Sequence, residues 1–92
     1  MGIDMVSMKE RIENKLINGL SPLHLRVENV SHLHAGHAGD DGSGESHFLI
    51  DIVSLYFDGL SRVHRQRLIF KALEDEMKSI HALSIRRCST KI

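Results

Sequence analysis

Four of the seven histidines fall between Ser31 and His47, and three of them (His32, His34, His37) lie inside the stretch S-H-L-H-A-G-H-A-G. Imidazole is the commonest protein metal ligand and titrates near neutrality. A glycine-rich segment carrying several imidazoles reads as a site rather than a connection. A fifth histidine, His81, stands where the last helical pattern gives way to a terminal apolar run. The chain has one cysteine, Cys88, so it cannot build a thiolate cage alone. A metal or cluster held here would draw some of its ligands from elsewhere. The plainer reading is a polar loop whose histidines cap turns or face water, because H-x-H-x-x-H matches no helical zinc motif. His47 is the weakest candidate, as a strand-start edge residue. His81 shares parity with Leu83 and Ile85, so it also reads as a half-buried histidine satisfied by backbone groups or by the preceding helix's C-terminal dipole. Cys88 reads as a half-exposed thiol with no role.

Arg62, His64, Arg65 and Arg67 form a basic cluster at the start of the last helical region. They could meet phosphates, yet twelve basic and twelve acidic side chains cancel over the chain. That balance argues against a dedicated nucleic-acid binder. No Walker loop, dinucleotide fingerprint or Ser/His/Asp constellation is present, so the sequence shows no enzyme site. The acidic runs Asp40-Asp41 and Glu74-Asp75-Glu76 read as solvated charge. No apolar run approaches the roughly 20 residues that cross a bilayer. One cysteine suits a reducing compartment, and the first residues lack signal-peptide character, so the expectation is cytoplasmic.

These residues need elements to position them. Ninety-two residues give one domain with a modest core, with residues 1–6 expected to be flexible. Ser7 followed by Glu10 has capping-box spacing, and Met8, Ile12, Leu16 and Leu20 recur every four residues, which predicts a helix over 7–18. Gly19 is expected to take the left-handed terminal position, with Pro22 beyond it. Leu23, Leu25 and Val27 alternate with polar residues, a half-buried strand. Residues 31–46 read as an irregular loop, of the length that is functional or disordered in small domains. His47 to Ser54 reads as a second strand, with Phe48, Ile50 and Ile52 on one face. Asp58-Gly59 signals a turn. From Ser61 to Ile80 the pattern is helical, read as a short helix leading into a long one. His81 to Cys88 alternates as a third strand. The two sequential strands make a hairpin, and the third returns across the helical crossover. The fold class is α+β: a two-layer sandwich with a three-stranded mixed sheet and helices on one face.

Taken together, R-I-E-N-K-L, L-R-V-E-N-V-S-H-L-H-A-G-H-A-G, G-E-S-H-F, I-V-S-L-Y-F-D-G-L-S, R-Q-R-L-I-F-K-A-L-E-D-E-M and I-H-A-L-S-I resemble the BolA family, over about Met8 to Thr90. The resemblance implies an α-β-β-α-α-β fold similar to class II KH domains. It also implies a partner and a cofactor: a monothiol glutaredoxin and a bridging 2Fe–2S cluster shared with glutathione, with none held by the isolated, monomeric protein. The BolA-like partner gives a histidine before the final strand and a histidine or cysteine from the variable loop. By position the first is His81. Counting forward from V-S-x-x-H gives His34 as the second, and counting back from E-S-H-F gives His37, the runner-up. Many members carry R-H-R at the start of the long helix, where this chain has Arg65-Gln66-Arg67. Other members are described as transcriptional regulators, so weak DNA binding through the KH-like fold and the basic helix start is the alternative. A plain zinc-binding loop using His32, His34 and His37 is a third reading.

Overall fold

The computed structural model describes residues 6–34 and 44–92. Helix α1 (Met8–Leu20) opens on the expected reciprocal cap: Ser7 Oγ accepts from the Glu10 N–H while the Glu10 carboxylate accepts from the Ser7 N–H. Its buried row is Met8, Ile12, Leu16 and Leu20. The stop differs from expectation. Gly19 stays helical, and Ser21 takes the left-handed conformation at φ 43°. Leu20 is buried and its carbonyl accepts from the buried Ser54 hydroxyl, so the helix runs on to deliver both.

Strands β1 (His24–Asn29) and β2 (His47–Val53) pair antiparallel, and β3 (Ala82–Ser89) pairs parallel to β2, which is central. Phe48, Ile50 and Ile52 face the core, as their alternation predicts. A bulge between Ile50 and Asp51 shifts β3 so that Arg87 sits opposite Asp51 and Cys88 opposite Ile52. That shift turns Cys88 inward, and it is buried rather than half-exposed. The mixed sheet with helices packed against it is the α+β arrangement expected.

The crossover is more broken than its sequence suggests. A 3-10 turn, Leu55–Phe57, buries Phe57, and the Asp58-Gly59 turn follows with Gly59 at φ 76°. Helix α2 (Arg62–Ala72) comes next, capped by Ser61. The long helix expected to reach Ile80 stops at Ala72, with a short turn after it rather than only before it. The Leu73 N–H is shared between the Ile69 and Phe70 carbonyls, and a second 3-10 turn, Glu76–Lys78, follows. Within α2 only Ile69 is fully buried, whereas Leu73, Glu76 and Ile80 are buried beyond it. Ile69, Leu73, Glu76 and Ile80 keep the i, i+4, i+7, i+11 spacing of one helical face, so the buried row continues past the break.

Glu76 corrects the expectation of solvated charge. Its side chain is 2% exposed, and it accepts from Arg11 at 3.2 Å and Lys15 at 3.4 Å, both on α1. A buried carboxylate needs such partners. The loop expectation is also corrected at its start, where Ser31–His34 form a 3-10 turn. The flexible N-terminus falls, except for Val6, outside the described residues.

Candidate metal-ligating site

Strand direction decides where the histidines lie. Because β1 is antiparallel to β2, Asn29 ends opposite Phe48; because β3 is parallel, Ala82 begins opposite His47. The end of β1 and the heads of β2 and β3 therefore meet at one end of the sheet. His81 precedes β3 there and is exposed.

The last residues of the His/Gly segment are held at the same end. Asn29 Nδ2 donates to the Gly44 carbonyl at 2.8 Å, and the Met8 N–H donates to the Glu45 carboxylate at 2.9 Å. The second contact supplies an acceptor to one of the free N–H groups that open α1. Ser31 Oγ accepts from the Ser46 N–H at 2.9 Å and the His47 N–H at 3.0 Å. The Ser46 carbonyl in turn accepts from the His81 N–H at 2.8 Å and the Ala82 N–H at 3.1 Å. Residues 31–34 and 44–47, which bracket the histidine-rich stretch, are thus tied to the head of β3.

His47 was expected to matter least, and the structure places it beside His81. It is 6% exposed, its Nδ1 shares a 2.6 Å hydrogen bond with Ser46 Oγ, and its ring centroid lies 5.2 Å from that of His81 at 44°. The pairing register creates this proximity, and no local pattern announces a register. Of the loop candidates, His37 lies outside the described residues. His34 closes the 3-10 turn, its side chain outside what is described, and His32 is exposed on the same turn.

The basic cluster lies elsewhere. Arg65 donates from Nε to the Leu60 carbonyl at 2.9 Å and from a terminal nitrogen to the Cys88 carbonyl at 3.0 Å. Cys88 is six residues along β3 from Ala82, about 20 Å at the usual rise per residue. The start of α2 is therefore at the far end of the sheet from His81. Arg65 is a backbone brace, while Arg62, His64 and Arg67 are exposed. His64 Nδ1 shares a 2.9 Å hydrogen bond with Ser61 Oγ.

On the sheet face carrying Arg26, Leu49 and Arg86, Asp51 accepts from Arg87 Nε at 2.7 Å. That bond, aided by the positive charges of Arg87, His24 and Arg86, holds the Asp51 carboxyl below its ordinary value against the opposing effect of burial. Among the described residues no three His, Cys, Asp or Glu side chains converge as a metal centre. The exposed ring of His81, next to a pinned histidine-bearing segment, suits a group that takes part of its ligands from this chain and the rest from another molecule. It does not suit a centre completed by the described residues alone.

The described residues form a small mixed-sheet α+β domain with an exposed imidazole at a strand head. The chain belongs to the BolA family: the family model described as BolA-like protein matches residues 16–91. It is 54% identical over 80 residues to SufE-like protein 1, chloroplastic/mitochondrial, of Arabidopsis thaliana, covering 82% of this chain and 22% of that longer protein. The solved BolA domain of SufE1 from Arabidopsis thaliana superposes with a TM-score of 0.79 at 46% identity, over 94% of this chain and 95% of that one. The DNA-binding transcriptional regulator BolA of Haemophilus influenzae is 38% identical over 81 residues, covering 87% of this chain and 75% of that protein. No described helix is long and apolar enough to cross a membrane.

Proposed function

We propose that this chain is a non-enzymatic adaptor that pairs with a monothiol glutaredoxin and helps hold a labile 2Fe–2S cluster. The observation that carries the reading is the convergence at one sheet end of the exposed His81 ring and the anchored residues on both sides of the His/Gly segment. His81 provides one ligand and a loop histidine the other, His34 first and His37 as runner-up. The glutaredoxin cysteine and glutathione provide the thiolates. Imidazole in place of thiolate removes negative charge from one iron and raises the reduction potential of such a cluster. Imidazoles must also be neutral to ligate, so mild acid favours release. The chain's own part is to hold His81 at the head of β3 through the Ser46 carbonyl, and to return the loop to that point through Ser31 and Asn29. These properties suit cluster trafficking or iron-linked regulation in the cytoplasm.

Co-expression with a monothiol glutaredoxin tests the proposal: a coloured heterodimer is expected, and His81→Ala should shift or bleach its visible spectrum. An unchanged spectrum removes His81 from the coordination sphere.

A second reading, DNA binding, is favoured by the likeness to the DNA-binding transcriptional regulator of Haemophilus influenzae and by the exposure of Arg62, His64 and Arg67. Because Arg65 is committed to backbone carbonyls, the free patch is smaller than the sequence suggests. Duplex binding should then be weak and fall steeply with salt. Absence of binding at low salt retires that reading.

A further inference from the structure

We propose that His47 is the positioning residue for His81, a packing wall that holds the exposed imidazole in its presenting orientation. The inference rests on the reading of His81 as a ligand and adds a role for a residue outside the ligand set.

His47 is locked from two sides. Its N–H donates to Ser31 Oγ at 3.0 Å, and its carbonyl accepts from the Val30 N–H at 2.9 Å. Its ring is held through Nδ1 by the Ser46 hydroxyl at 2.6 Å, on a serine that is itself fully buried. The His81 backbone is held by the 2.8 Å bond from its N–H to the Ser46 carbonyl, while its side chain is exposed. An exposed side chain on a held backbone still has several staggered rotamers open to it. The His47 ring, at 5.2 Å and 44°, lies within the range in which aromatic rings pack on one another and favour one orientation. Ser46 thus sets His47, and His47 sets His81. Residues that orient a ligand without touching the metal commonly change metal retention by about 10- to 100-fold.

The test compares His47→Phe, which keeps a ring, with His47→Ala, which removes it. Side-chain coupling constants of His81 are read by NMR in the free protein, and cluster loss is timed in the heterodimer. His81 should hold one χ1 in the wild type and in His47→Phe and average between rotamers in His47→Ala, with cluster loss about tenfold faster in the alanine variant. Unchanged His81 couplings in His47→Ala overturn the proposal. So does a His47→Phe variant that loses cluster as fast as His47→Ala, because a ring nitrogen rather than packing would then be needed. If His47→Ala does not fold, His47→Leu takes its place, since it removes the ring and keeps an apolar side chain; a single unperturbed His81 rotamer there is equally fatal. If the wild-type heterodimer carries no cluster, the functional reading fails, and the free-protein couplings still decide the positioning role.

Discussion

Asp51 and Glu76 show how a carboxylate's meaning depends on what the fold brings to it. Arg87 holds the Asp51 carboxyl below its ordinary value of 3.8, so the ionised form is favoured in the folded state. The stability this contributes is complete above that value and drains away as pH falls below it. Asp51→Asn should therefore lower the urea midpoint near neutral pH, with the gap to wild type closing on the acid side of 3.8. A parallel pair of midpoint-against-pH curves would contradict the assignment. The pair is partly exposed, with 20% and 38% of the side chains accessible, so the neutral-pH effect should be modest. Asp51 was not legible as special, because its partner depends on the bulge that sets Arg87 rather than Arg86 opposite it. Glu76 sits in an acidic run that looks solvated, and only the packing of α1 against the turn after α2 supplies Arg11 and Lys15. The contact between His47 and His81 was not legible for the same reason: the two are remote in sequence.

Elements were read more reliably where the signal is local. The Ser7/Glu10 cap, the four-residue spacing of α1 and the alternation of β2 each concern neighbours in the chain, and each is found. The errors fall at helix ends: α1 runs two residues further than expected, to the buried Leu20, and α2 stops at Ala72 although the buried row continues through Leu73, Glu76 and Ile80. The 3-10 turn Ser31–His34 belongs with these. Its Ser31 hydroxyl accepts two backbone N–H groups from the start of β2 and donates to the His47 carbonyl at 3.3 Å. Ser31→Ala should leave both buried N–H groups without that acceptor and cost about 2–4 kcal/mol. Hydrogen exchange at the Ser46 and His47 amides should accelerate beyond the change in global stability. Exchange that merely follows global unfolding would mean the turn is no anchor.

At the level of the whole molecule, one parallel strand pairing divides the sheet into two ends. The His81 end gathers the start of α1, both loop anchors and the heads of β2 and β3; the other holds Ser54, Ser89 and the brace from Arg65 to Cys88. NMR shift mapping with a cluster-loaded monothiol glutaredoxin should perturb residues 31–33, 44–47 and 81–82 together, leaving Leu23, Ser54 and Ser89 quiet. Perturbation confined to Arg62, His64 and Arg67 would point to a different docking face. The number and order of strands, and the candidacy of His81, followed from alternation, helix punctuation and the resemblance. The polarity of the molecule did not, because it depends on which strand of the hairpin β3 pairs with.

That same pairing ties competence to completion. His47 and His81 become neighbours only when β3 has slotted in beside β2. On the reading proposed above, a chain whose β3 is not yet paired would lack the placed imidazole of His81, so cluster loading would report that the sheet had closed.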